Sequence, residues 1–302
     1  MEQPEQFTRT GKPAAEVEID AALIARLLEE QHPDLAALPL EHVDAGWDNA
    51  IYRLGTELAV RLPRRQLGAQ LVEHEQRWLP ELASRLTLPV PVPMRVGEPG
   101  AGYPWRWSIV PWLTGVPADM CEPDASQAVV LAQFLRSLHV PAPDEAPPNP
   151  FRDVPLVKLT KVDGRLDRIA QRTELVSPSL RQTWRSAVAA PIDQPLTWIH
   201  ADLHPRNVLV ERGILTGILD WGDMTAGDRA TDLASLWILF DDDEFRRDAL
   251  RVYGEVTPAT LLRAQGWAIF CGSMFLDSGL HDGDAMLTRI GERILRRVEK
   301  AD

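Results

Sequence analysis

The sequence predicts an α+β protein of two lobes, an antiparallel sheet with helices over residues 1–113 and a larger, mainly helical lobe over 114–302. Short runs with turn residues between them are concentrated before residue 113, and apolar stripes at helical spacing dominate after Pro150. Between the two patterns lies a proline-rich stretch, Val140-Pro141-Ala142-Pro143 through Pro147-Pro148-Asn149-Pro150. Its prolines cannot continue a helix, so an extended connector is expected there.

In the first lobe, Asp20 is the expected N-cap of a helix over 21–31 whose Leu23, Ile24, Leu27 and Leu28 form one apolar stripe. Ala50-Ile51-Tyr52-Arg53-Leu54, a turn at Gly55-Thr56 and Leu58-Ala59-Val60-Arg61-Leu62 make a hairpin. A helix over 70–85, an extended Leu88–Pro93 with prolines at alternate positions, and a strand over 107–112 follow. The second lobe begins with a helix inside 124–139, with Val129, Val130, Ala132, Phe134, Leu135 and Leu138 as its apolar positions. Beyond Pro150 the expected helices cover 164–173, 178–190, 231–240, 243–252, 258–276 and 283–299.

With 302 residues, 45% of them hydrophobic and 25% charged, the chain can bury full cores in two lobes. The polar start from Met1 to Lys12 has no apolar signal region, and no run reaches the ~18 apolar residues of a membrane span. A cytoplasmic protein with no membrane partner is expected. Cys121 and Cys271 are too few and too far apart for a disulfide framework or a clustered metal site, so both are expected as reduced thiols. A net charge of −12 argues against a nucleic-acid partner, and its ordinary use is solubility.

The segment that carries chemistry runs from Trp198 to Gly222. Val208–Val210 and Leu215–Leu219 flank the Gly213 turn and should pair as antiparallel strands, so that Asn207 and Asp220 meet. Asp202 stands on the loop feeding the same hairpin. Two carboxylates and an amide are thus brought together, and phosphoryl transfer needs such a set. It requires oxygen ligands for Mg²⁺ at the phosphates and a separate carboxylate that orients the attacking hydroxyl and takes its proton. Asn207 and Asp220 suit the metal and Asp202 suits the base. Taken singly, each of these residues is an ordinary turn former or cap; their spacing and shared hairpin make the signal.

His200-x-Asp202-x-x-x-x-Asn207 resembles the catalytic loop of the aminoglycoside phosphotransferases, enzymes with a protein-kinase-like fold, and Asp220-Trp221-Gly222 is similar to the metal-binding Asp-Phe-Gly of protein kinases. The resemblance continues through Gly227-Asp228 and Asp232-Leu233-Ala234. It implies a bilobal kinase-like fold, with 1–113 as the nucleotide-binding lobe and 114–302 as the catalytic and substrate-binding lobe. It also implies that His200 and Asp232 brace the catalytic loop. Ala59-Val60-Arg61 takes the place of the kinase Ala-x-Lys strand, so Arg61 would hold phosphates with Ala59 beside it. Glu75 would hold Arg61 in preference to Glu73, because Trp78, Leu79 and Leu82 share its helix face. Gly46-Trp47-Asp48-Asn49 has the place of a phosphate-covering loop, with backbone N–H groups at Asp48 and Asn49 as donors. Trp107–Gly115 would join the lobes and bind the adenine edge through the N–H of Trp112 or Leu113, since Pro111 has none.

The co-substrate implied is ATP or GTP with Mg²⁺, and the partner is a small molecule bearing a hydroxyl. An aminoglycoside-type antibiotic is the acceptor the resemblance favours, with Asp277, Asp282 and Asp284 as acidic acceptor-binding residues. Choline-, homoserine-, sugar- or macrolide-type acceptors are the alternatives, because acceptor choice sits in variable helices. A nucleotide-binding pseudokinase is the third reading, opposed by the joint presence of Asp202, Asn207 and Asp220. A monomer or homodimer is expected. Asp241-Asp242-Asp243-Glu244 is read as a solvated run or helix cap, and Trp221 and Trp237 as core.

Overall fold

In the computed structural model, which describes residues 14–45, 47–150, 152 and 154–300, Asp20 caps the first helix by accepting the backbone N–H of Leu23 at 2.7 Å. The chain divides into two compact units. One runs to Ser84 and takes up again over Val90–Leu113; the other takes Arg85–Pro89 and runs on from Thr114.

The first unit has α1 (Ala21–Gln31), β1 (Leu40–Ala45), β2 (Asn49–Leu54), β3 (Leu58–Pro63), α2 (Gln66–Ala83), β4 (Arg95–Gly97) and β5 (Trp107–Pro111). The five strands form one antiparallel sheet in the order β1-β2-β3-β5-β4. In the register Tyr52 faces Val60 and Val60 faces Ile109, so these share one face with Ala50, Leu54 and Leu62. That face packs on Leu23, Ile24, Leu27 and Leu28 of α1, and each such buried side chain contributes about 1.5–3 kcal/mol of transfer free energy. Alternation turns Ala59 and Arg61 to the opposite face, where α2 lies. Gln76 on α2 donates to the Trp107 carbonyl at 2.9 Å and to the Ser108 hydroxyl at 3.0 Å, fixing the helix on β5. The helix begins at Gln66, four residues before the expected Gln70, because Gly68 and Ala69 already pack inward.

The second unit has β6 (Val116–Pro117), α3 (Gln127–Leu138), α4 (Val162–Ala170), α5 (Pro178–Ala189), β7 (Thr197–Ile199), β8 (Val208–Glu211), β9 (Ile214–Ile218) and β10 (Thr225–Gly227). It ends with α6 (Ala230–Leu233), α7 (Ser235–Leu239), α8 (Asp243–Tyr253), α9 (Pro258–Asp282) and α10 (Ala285–Glu299). The helix expected over 231–240 is two short ones, with the Ser235 hydroxyl bonded to the Asp232 carbonyl at 2.6 Å beside the break. Gly283, expected to open the last helix, instead ends α9: its φ of 70° is the left-handed cap conformation that suits glycine, and Asp284 caps α10. Trp221 and Trp237 are buried, as their core reading required. The proline-rich connector runs along β7, where the Val140 carbonyl accepts the Trp198 N–H at 2.9 Å, and the Pro147 carbonyl accepts the Thr225 hydroxyl at 2.7 Å. Among the described residues no helix is long and apolar enough to cross a membrane.

Candidate active site

Two ladders in the second unit hold the segment from Trp198 to Gly222. At its ends β7 pairs with β10, Ile199 opposite Thr225. In its middle β8 pairs with β9, Val208 opposite Ile218, and the ladder runs one step further as Leu219 N–H donates to the Asn207 carbonyl at 2.8 Å. Asn207 and Asp220 therefore leave the hairpin side by side. Asp220 has φ 59°, which turns the chain away from the strand direction directly after Leu219.

Asp202 is bound to Asn207 twice: the amide Nδ2 donates to the Asp202 carbonyl at 3.0 Å and to its carboxylate Oδ2 at 3.2 Å. With its nitrogen so committed, the Asn207 amide presents its oxygen elsewhere. That oxygen and the exposed Asp220 carboxylate are hard donors of the kind Mg²⁺ takes. His200, fully buried, has Nε2 2.8 Å from the Leu219 carbonyl and Nδ1 accepting the Asp202 N–H at 3.3 Å, with the Trp221 ring edge-on at 4.7 Å. Asp232 accepts the N–H groups of His200 and Ala201. Both residues thus hold the loop's backbone.

Several residues at this site carried no sequence signal that was read. Arg152, at the end of the connector, places Nη2 2.5 Å from Asp202 Oδ1 and Nε 3.8 Å from Asp223 Oδ2. Asn149 donates to the Asp223 carboxylate at 2.7 Å and to its carbonyl at 3.0 Å. His204 Nε2 lies 3.4 Å from Asp202 Oδ2, with its ring edge-on to Phe275 of α9. Burial works against the Asp202 carboxylate, but the guanidinium of Arg152 and then His204 outweigh it and hold Asp202 well below the usual carboxylate range. Asp223 shares the guanidinium less closely, and burial with the Asp202 charge pushes it up. The two carboxyls are thus pushed in opposite directions, Asp202 down and Asp223 up. Asp223, one place after Asp220-Trp221-Gly222, and His204, two after Asp202, lie close enough in sequence to have been suspected; Arg152 and Asn149 do not.

In the first unit Arg61 Nη1 meets Glu75 Oε2 at 2.7 Å, both side chains buried, whereas Glu73 is exposed. Ala59 is buried on the same strand. Asp48 pairs its carboxylate with Arg65, and its carbonyl accepts the Arg64 N–H at 2.8 Å, which ties the turn before β2 to the end of β3. Asn49 is buried with its side-chain oxygen unpaired. Gly46 of the expected phosphate loop lies outside the described residues. Trp112 is a correction: its N–H donates to the Glu57 carbonyl at 2.7 Å, extending the β3–β5 ladder, so of the two expected adenine donors only Leu113 remains.

The three acids expected to bind an acceptor are not brought together as an open acidic surface. Asp277 is paired with Arg168, whose Nε donates to it at 3.0 Å. Asp284 accepts the N–H groups of Met286 and Leu287 at 2.8 and 3.1 Å as the cap of α10. Asp282 is exposed at the end of α9.

The architecture is that of known phosphotransferases. The chain is similar to the GDP complex of wild-type aminoglycoside 2'-phosphotransferase-IIIa, with 19% identity and a TM-score of 0.62 over 93% of this chain and 99% of that one, a likeness of fold. By sequence it is 26% identical over 219 residues to the uncharacterized protein YcbJ of Bacillus subtilis (strain 168), across 64% of this chain and 66% of that protein. It is 32% identical over 167 residues to homoserine kinase of Rhodospirillum rubrum, across 50% of this chain and 49% of that enzyme. The chain thus spans just under two thirds of the first relative and about half of the second. The model of the phosphotransferase enzyme family matches residues 39–267, most of the chain, and the chain belongs to that family.

Proposed function

We propose that the protein is a nucleoside-triphosphate-dependent O-phosphotransferase that moves a γ-phosphoryl group onto a hydroxyl of a small molecule. The observation that carries this reading is the ionised Asp202 bound to Asn207, with Asp220 beside them on the paired strand. Asp202 would accept the hydroxyl's hydrogen bond and take its proton as the bond to phosphorus forms. Phosphoryl transfer passes through a loose transition state, so a base of low pKa suffices and positioning carries much of the catalysis. The Asn207 amide oxygen and the Asp220 carboxylate would hold Mg²⁺, which neutralises charge on the phosphate oxygens when bound. In the first unit Arg61, fixed by Glu75, offers a guanidinium to the phosphates of ATP or GTP, the backbone at Asp48 and Asn49 offers N–H groups, and Leu113 offers one to the base.

The aminoglycoside reading of the acceptor is supported by likeness to an aminoglycoside phosphotransferase, but Asp277 and Asp284 have other partners. A hydroxy amino acid is the second reading, favoured by the cation at the base, Arg152. The test is Mg²⁺-dependent transfer of label from γ-labelled ATP and GTP across aminoglycosides, macrolides and hydroxylated metabolites. Asp202→Asn should abolish turnover while nucleotide affinity is kept; turnover that survives this substitution removes the role given to Asp202.

A further inference from the structure

Both oxygens of Asp202 are already engaged. Oδ2 faces Asn207 Nδ2 at 3.2 Å and His204 Nε2 at 3.4 Å, all within the catalytic loop, whereas Oδ1 is held by Arg152 at 2.5 Å from the connector. A hydroxyl that gives its proton to Asp202 needs a lone pair on one of these oxygens, and Oδ1 is the side whose occupant comes from outside the loop. The guanidinium's other neighbouring carboxylate, Asp223, has Oδ2 at 3.8 Å, beyond hydrogen-bond range, and the Arg152 side chain is only 13% exposed. A buried guanidinium without a hydrogen-bonded counter-charge is costly, so an acceptor that takes its place is favoured when it brings one.

We propose that Arg152 is the residue that selects the acceptor: a carboxylate on the acceptor draws the guanidinium from Asp202 Oδ1 and so admits the neighbouring hydroxyl to the base. This rests on the phosphotransfer reading above. The acceptor class is a small hydroxy acid with a single carboxylate. A guanidinium fork matches a carboxylate with two parallel N–H···O bonds. A doubly charged phosphate is disfavoured by three acids nearby, Asp202 hydrogen-bonded to Arg152, Asp223 at 3.8 Å from it and Asp220 close enough to act on its charge. A polycation would set like charge against Arg152. Among the described residues, His204 and the buried Cys271 also lie by Asp202, and neither supplies a compensating acid.

The experiment is calorimetric titration of the full chain, with and without Mg²⁺ and ADP, using matched acids and neutral counterparts. The pairs are 3-hydroxypropionate with 1,3-propanediol, 4-hydroxybutyrate with 1,4-butanediol, and L-homoserine with its methyl ester; kanamycin is the polycation. At least one acid should bind about tenfold or more tightly than its counterpart. Arg152→Met should remove that difference and Arg152→Lys should restore part of it. Arg152→Met with Asp223→Asn gives a second test with less uncompensated buried charge, and melting temperatures show which variants are folded. No binding of any acid, equal binding of acid and counterpart, kanamycin bound more tightly than every acid, or a preference that persists without Arg152 would each overturn the proposal. Failure of the phosphotransfer reading shows separately, as absence of Mg²⁺-dependent binding when ATP and GTP are titrated on their own.

Discussion

The carboxylate of Asp232 accepts the backbone N–H of His200 at 2.7 Å, and its other oxygen takes that of Ala201 at 2.8 Å. Asp232 is fully buried, and His139 Nε2 lies 3.2 Å from the same carboxylate. Ala201 has φ 71°, a conformation that a residue with a Cβ resists, so these bonds hold a strained turn directly before Asp202. Asp232→Asn turns an NH₂ toward one of the two N–H donors. It should cost about 2–3 kcal/mol in urea unfolding, the loss of a charged buried hydrogen bond. Turnover should fall while triphosphate affinity is kept, because the displaced groups are at Asp202.

Arg61 and Glu75 make a second buried pair, and its energetics separate folding from binding. Removing one partner leaves a buried charge, so Glu75→Ala should cost about 3–5 kcal/mol, whereas Arg61→Met with Glu75→Leu should recover most of that stability. The double variant should still bind triphosphate poorly. Unfolding and nucleotide titration on the same samples give both readouts; tight binding by the stable double variant would remove Arg61 from the phosphate site.

How much was legible follows the range of the interactions. The α1 stripe, the β2–β3 hairpin and the hairpin joining Asn207 to Asp220 are set by neighbours in sequence, through caps, turns and alternation, and they were readable. Glu75 over Glu73 was also readable, because one helix face carries Trp78, Leu79 and Leu82. The three-residue β4 and the two-residue β6 have too few positions for a pattern and exist only because longer strands pair with them. Arg152 was hidden for a different reason: it lies 50 residues before Asp202, after a stretch whose prolines speak only of extension. The acids at Asp277 and Asp284 misled because exposure of a carboxylate is decided by Arg168 and by a helix end, and neither is visible from the acid alone.

Burial pushes the Cys271 thiol up to about 12, with the charge of Asp202 adding to it. The thiol is therefore neutral through the physiological range, and at pH 8 only roughly one part in ten thousand is thiolate. Iodoacetamide at pH 8 should label the half-buried Cys121 and leave Cys271 unmodified until urea unfolds the chain. Mass spectrometry of tryptic peptides reads both sites; native labelling of Cys271 at the rate of Cys121 would contradict this burial.

Gly213 decides whether the β8–β9 hairpin closes in register. Arg212 and Gly213 have φ of 51° and 81°, the two positive values that a two-residue hairpin turn demands, and the Gly213 carbonyl accepts the Asp124 N–H at 2.8 Å. A Cβ on Gly213 would stand 2.5 Å from Asp124 Oδ1, so Gly213→Ala meets both a steric and a backbone penalty. It should cost about 1–3 kcal/mol and lower turnover, since the ladder that sets Leu219 against Asn207 starts from this turn. Asp124→Ala in the same chain removes the clash and leaves the φ penalty. A double variant that recovers part of the stability assigns the remainder to the turn itself; recovery of all of it would mean that the turn accepts an L-residue and that register is held by the strands alone.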